Sequence, residues 1–187
     1  MSPPHGMMAA PCRRALPRRR HARRVALLLV AAVALSCELD PGGAPGAGDR
    51  VLASVIAIVD GDTIRVDLDD GATSVRLIGI DTPETDGPFT EEECFGADAT
   101  RFTDAALAGR DVELEFDVER TDRFDRTLAY VWVDGTLFNE RIVREGYAVL
   151  ATFPPNVRYV DRLTAAQRQA RHEQRGLWSG CPARDGS

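Results

Sequence analysis

Two short acidic turns carry the residue types best suited to chemistry. Asp60-Gly61-Asp62-Thr63 ends one apolar run, and Asp81-Thr82-Pro83-Glu84 ends another. Arg76 lies between them, and Arg120-Thr121-Asp122-Arg123-Phe124-Asp125-Arg126 follows downstream. Carboxylate and carbonyl oxygens are the hard donors that calcium prefers. Guanidinium forks match phosphate oxygens in pairs. Brought together, the three pieces could grip one cation and one phosphodiester. Each has an ordinary reading on its own. Asp60-Gly61 is a favoured hairpin turn, Thr82-Pro83-Glu84 could open a helix, Arg76 could face solvent from a strand, and 120–126 could be a solvated loop. Asp69-Asp70-Gly71 has the same composition and is read only as a turn.

The elements around these pieces decide whether they meet. Val51 to Val59 is apolar and β-prone, Thr63 to Leu68 alternates apolar with polar, and Val75 to Ile80 reads as a third strand. Short turns between them give an antiparallel meander. With the second turn centred near Asp70, Asp62 falls opposite positions 77 to 79, at the same sheet end as Asp81. Glu84 to Phe95 has no period and reads as a mobile loop beside the site. Ala97 to Ala108 is expected to be helical, Asp111 to Phe116 and Leu128 to Val133 to be strands, and Phe138 to Glu145 a short helix. Ala148 to Ala151 is a short strand-like piece, and Tyr159 to Arg175 a long amphipathic helix. The pattern predicts a mainly β (α+β) chain, a five-stranded Greek-key barrel with about three helices.

Composition narrows the function. All 23 basic residues are Arg, and seven of them lie in residues 1–37, which hold no acid. The remainder has 16 Arg against 29 Asp and Glu, a net of −13, which opposes tight non-specific binding to a polyanion. Of three His only His172 lies beyond residue 37, which excludes two-histidine acid/base chemistry and multi-His zinc sites.

The basic start, the apolar run Val25 to Leu35 and Ser36-Cys37 read as an export signal over 1–37, too short to span a membrane. Cys37 is a candidate for lipidation, which would tether the protein to a membrane. Residues 38–50 are Pro/Gly-rich and read as a linker, 51–181 as the domain and 182–187 as a tail. An exported chain with Cys94 and Cys181 left over favours a disulfide between them. Such a bond would constrain the unfolded chain by roughly 4 to 5 kcal/mol on the entropy model.

In combination these residues resemble the staphylococcal nuclease (thermonuclease) family. The resemblance rests on Val59-Asp60-Gly61-Asp62-Thr63, Arg76-Leu77-Ile78-Gly79-Ile80-Asp81-Thr82-Pro83-Glu84-Thr85, the run 120–126 before Leu128-Ala129-Tyr130, Asn139-Glu140, and Val143-Arg144-Glu145-Gly146. It implies an OB-fold barrel and calcium-dependent hydrolysis of DNA and/or RNA that leaves 3'-phosphates. It assigns Asp62, Asp81 and the Thr82 carbonyl to calcium, Glu84 as general base, and Arg76 and Arg126 to the phosphate. Arg123-Phe124 stands where the family has a Lys-Tyr pair, so substrate binding there loses a phenolic hydrogen bond, although Phe124 and Phe153 can still stack on bases. The chain is expected to be exported and monomeric, with nucleic acid as substrate and no obligate protein partner. Two rival expectations are a nucleic-acid-binding barrel without cleavage and a calcium-binding envelope domain.

Overall fold

The computed structural model describes residues 47–69, 71–85 and 93–181. The chain divides into Met1–Pro41 and Gly42–Ser187, and every described residue belongs to the second unit. The expected export signal, most of the linker and the 182–187 tail lie outside the described residues.

Three strands form the expected meander: β1 (Arg50–Ile58), β2 (Thr63–Leu68) and β3 (Gly71–Leu77). Alternation drives them together. Ile64 and Val66 are fully buried while Arg65 and Asp67 are exposed, the period-two pattern of a strand with one wet face. β1 also pairs with β5 (Asp111–Glu115), which pairs with β6 (Thr127–Val133), and β6 hairpins into β7 (Thr136–Leu137). A parallel seam between β3 and β6 closes the sheet, matching Val75 with Thr127, Arg76 with Leu128 and Leu77 with Ala129. The result is a closed five-stranded OB-type barrel with Val55, Val66, Leu77, Leu114, Ala129 and Val131 in its interior.

The third strand ends earlier than the apolar run Val75 to Ile80 implies. Gly79 takes a φ of 82°, a left-handed conformation that an L side chain resists, and the chain turns. It resumes as β4 (Ile80–Asp81), paired with β8 (Val149–Leu150) in a separate two-stranded sheet. The turn is what aims Asp81 back toward the lip.

Helix α1 (Gly96–Leu107) buries Ala99, Thr103, Ala106 and Leu107. Helix α2 (Phe138–Arg144) and helix α3 (Val160–His172) cap the rest of the core, with α3 contributing Leu163, Ala166 and Ala170. A single-turn helix, α4 (Leu177–Gly180), follows. Cys94 and Cys181 are joined by a disulfide, with their Cα atoms 5.8 Å apart and a sequence separation of 87.

Asn139, on the first turn of α2, is fully buried and reads the backbone of two other elements. Its side-chain oxygen accepts the Val131 N–H at 2.9 Å, and its amide donates to the Ile78 carbonyl at 2.9 Å. It therefore fixes the turn that leads into Asp81. Asn139→Ala strands both backbone groups away from water, at about 1–3 kcal/mol for each group left unsatisfied. Urea denaturation should show a loss of roughly 2–4 kcal/mol in unfolding free energy, with an unchanged m-value.

Candidate active site

The β1–β2 turn is tied down from several sides. The Val59 and Asp60 N–H groups both donate to the Thr63 carbonyl, at 3.0 and 3.2 Å. The Asp60 carboxylate accepts the Asp62 N–H at 3.0 Å. From α1, the buried Thr103 hydroxyl donates to the Gly61 carbonyl at 2.7 Å. Across the sheet, the Leu77 N–H donates to the Asp62 carbonyl at 2.9 Å, which puts Asp62 opposite position 77, within the expected span.

The two acidic turns meet through Arg76. Its Nη1 lies 2.7 Å from Asp62 Oδ2 and donates to the Ile80 carbonyl at 3.0 Å, while Nη2 lies 2.9 Å from Asp81 Oδ1. Thr82 closes the other side, its N–H donating to Asp62 Oδ2 at 2.8 Å and its hydroxyl to the same oxygen at 3.2 Å. The Asp62 side chain is 8% exposed and that of Asp81 is 48% exposed, so one carboxylate is sunk in the lip and the other faces water.

This burial raises the Asp62 carboxyl to about 7, with Asp60 and Asp81 adding to the rise against the pull of Arg76 and the Thr82 N–H. The oxygens that could serve a cation are hard ones: the Asp62 and Asp81 carboxylates, to which the family resemblance adds the Thr82 carbonyl. Among the described residues no three acidic, His or Cys side chains converge as a closed cage. An open, oxygen-only set of two carboxylates and a carbonyl suits a hard divalent cation that keeps further positions for water and substrate.

Arg126 enters from the run-in to β6. It precedes Leu128, the partner of Arg76 across the seam, by two residues. Asp122 holds it: Asp122 Oδ2 takes the Arg126 Nε and Nη2 donors, both at 2.7 Å, and Oδ1 takes the Phe124 and Arg126 N–H groups at 2.8 and 3.0 Å. Arg123 and Phe124 are exposed at the tip of this loop, with the Arg123 and Arg126 guanidiniums 4.6 and 5.5 Å from the Phe124 ring centre. Buried Asn156 braces the loop's base by exchanging two hydrogen bonds, each of 2.8 Å, with the Glu119 backbone. Phe153 stands exposed on the same bracing segment.

Glu84 lies two residues beyond Thr82 and is exposed. Thr82 and Pro83 are buried, so the chain leaves the body at this point. Residues 86–92 of the expected mobile loop lie outside the described residues. Its ends are joined, the Glu93 N–H donating to the Glu84 carbonyl at 2.9 Å.

Thr103, Asp122 and Asn156 were not legible as supports in the sequence reading. Asp122 carried a usable signal, an acid two and four residues before backbone N–H groups it can accept, the pattern of a side-chain-capped turn. The Thr103 and Asn156 contacts span 42 and 37 residues and left no local trace.

Burial would raise the Asp122 carboxyl, but the Arg126 N–H, the Arg126 guanidinium and the Phe124 N–H outweigh it, and the group sits below its ordinary value. A depressed carboxyl stabilises the fold above its unfolded pKa of about 3.9 and loses that contribution as pH falls through the lower folded value. Urea midpoints measured from pH 6 downward should therefore fall more steeply in the wild type than in Asp122→Asn below about pH 4. Parallel curves would mean that the loop does not depend on this carboxylate.

The family model "Staphylococcal nuclease homologue" matches residues 74–180. The Staphylococcus hyicus protein named thermonuclease is 39% identical over 158 residues, 83% of this chain and 93% of that protein. The Staphylococcus intermedius thermonuclease is 42% identical over 121 residues, 65% of this chain and 72% of its own. A Bacillus subtilis protein named endonuclease YncB is 35% identical over 123 residues, 65% of this chain and 58% of its own. With this match over more than half its length and these relatives covered over most of theirs, the chain belongs to the staphylococcal nuclease homologue family.

Proposed function

We propose that this protein is an exported, calcium-dependent nuclease that hydrolyses phosphodiester bonds of DNA and/or RNA and leaves 3'-phosphate ends. The observation that carries the reading is the convergence of Asp62, Arg76, Asp81 and Thr82 on one lip, with Arg126 on the run-in to the adjacent strand. The printed names of the relatives, thermonuclease and endonuclease, support the same activity. Export rests on the leader pattern of residues 1–37, with Cys37 as the point where lipid would tether the chain.

Asp62, Asp81 and the Thr82 carbonyl would hold the ion. Calcium when bound supplies charge that polarises the phosphoryl oxygens and gathers water. The protein's own groups do the rest. Arg76 and Arg126 bring N–H pairs to the equatorial phosphate oxygens, where negative charge grows in the transition state. Glu84 accepts the proton of the water that attacks phosphorus. The P–O bond to the 5'-oxygen breaks, that oxygen takes a proton from solvent, and the phosphate stays on the 3' side. Arg123 and Phe124 lie beyond Arg126, placed to meet the flanking nucleotide.

Plasmid nicking should stop in excess chelator and return on adding calcium, and end-labelling should find 3'-phosphate. Glu84→Gln should lower kcat on the order of a hundredfold or more, with calcium binding by calorimetry retained. Arg126→Lys keeps the charge but loses the fork, and should lower kcat by about a hundredfold. Cleavage unaffected by chelator would refute the assignment, and binding without any product would make the protein a nucleic-acid-binding barrel instead.

A further inference from the structure

Glu84 has little of its own to hold it. It sits in the extended stretch 82–85, beyond the last buried residue, Pro83. Its restraints come from the far side of the loop. The Glu93 N–H donates to the Glu84 carbonyl at 2.9 Å, and the Glu93 carboxylate accepts the Glu84 N–H at 3.3 Å. The Gly96 N–H donates to the Glu93 carbonyl at 2.9 Å. Gly96 itself packs so close that a Cβ on it would lie 2.2 Å from the Glu84 carbonyl oxygen.

The middle of this strap, Cys94, is bonded to Cys181. Cys181 closes α4, donating its N–H to the Leu177 carbonyl at 3.3 Å, and the Leu177 N–H donates to the Gly146 carbonyl at 2.9 Å at the end of α2. Phe95, next to Cys94, lies against Gly180 and 5.9 Å from the ring centre of Tyr147. A bonded path therefore runs from α2 through α4 and the disulfide to the backbone of Glu84.

We propose that the Cys94–Cys181 bond, acting through Glu93 and Gly96, is the positioning device for Glu84, so that its reduction lowers turnover while leaving substrate affinity in place. The inference rests on the reading of Glu84 as the base. A base must sit within hydrogen-bond reach of the proton it takes, and a misplacement of about 1 Å can cost on the order of a hundredfold. The arginines and the Asp62–Asp81 pair are held by other contacts, so phosphate binding does not depend on the strap. Reduction by dithiothreitol delivers two electrons and two protons to the S–S bond. It leaves thiols at Cys94 and Cys181 and converts the reagent to its cyclic disulfide.

The test is a double-mutant cycle on the full chain with saturating calcium and DNA, run below the melting temperature of every variant. It compares wild type, Cys94→Ala/Cys181→Ala, Glu84→Gln and the combination. The cysteine pair should lower kcat by roughly ten- to a hundredfold with KM within about twofold of wild type. Dithiothreitol should do the same to the wild type once thiol titration finds both sulfurs free. In the Glu84→Gln background the cysteine substitutions should change kcat by less than about twofold.

Equal losses in both backgrounds, or a reduced wild type with unchanged kcat, would overturn the proposal. If the cysteine-free chain does not fold, the same cycle with Gly96→Ala, which leaves the bond intact, decides by the same coupling. A wild type that shows no chelator-sensitive cleavage brings down the nuclease reading itself. Cleavage that depends on Glu84 but not on the disulfide removes only this inference.

Discussion

The parallel seam between β3 and β6 is the constraint on which the site depends. Val75, Arg76 and Leu77 lie beside Thr127, Leu128 and Ala129, and Val75, Leu77 and Ala129 are buried. Inside the barrel the seam is ordinary packing. On the outer face it sets Arg76 on one strand beside the run-in that carries Arg126 on the other. The carboxylates need no such closure, because Asp62 is carried by the hairpin partner of β3 and Asp81 follows β3 by one turn. Parallel neighbours cannot be joined by a tight turn. The long excursion through α1 and β5 is the connection that makes the seam possible, and it also brings Thr103 to the Gly61 carbonyl.

The sequence was legible where it reports on solvent and illegible where it would have to report on partners. Alternation in Thr63 to Leu68 marked β2 to the residue, and counting through the turn near Asp70 placed Asp62 opposite positions 77 to 79, a span that includes its actual partner, Leu77. The meander, the helices and the meeting of the two acidic turns followed from the same reasoning. Periodicity records which face of an element is wet. It holds no term for which strand lies alongside, so the parallel closure was not visible. The run Val75 to Ile80 hid the turn at Gly79, since Leu77, Ile78 and Ile80 on either side of it are buried and the apolar pattern does not pause. Asn139 stood out only through the family resemblance and Asn156 not at all, because a side chain that satisfies buried backbone is chemically the same as one that faces water.

Charge raises a different question, since an acidic chain must attract a polyanion. Much of its arginine is committed internally. Arg50 pairs with Glu113 and buried Glu115, Arg158 lies beside Glu115 and Asp117, and Arg162 and Arg144 both pair with Glu140. Tyr159 donates to both oxygens of Glu115, and burial, with that acid as the next cause, holds its hydroxyl above the ordinary value. These groups stabilise the barrel wall and leave little long-range attraction. Affinity for nucleic acid must then be local rather than long-range.

Arg76 and Arg126 share one design. Each is gripped by a carboxylate before any substrate arrives, Arg76 by Asp62 and Asp81 and Arg126 by Asp122. A guanidinium has five N–H donors in a rigid plane, and Arg126 commits only Nε and Nη2 to Asp122. The plane is thus fixed from behind while donors remain for the substrate, which is what electrostatic preorganisation requires. A lysine ammonium, one rotating point charge, cannot serve both partners in a defined geometry. The presence of Arg carries no weight by itself, since every basic residue in this chain is Arg. The weight lies in the carboxylates placed behind these two. Asp62 in particular is buried at a cost that a stability-driven sequence would avoid.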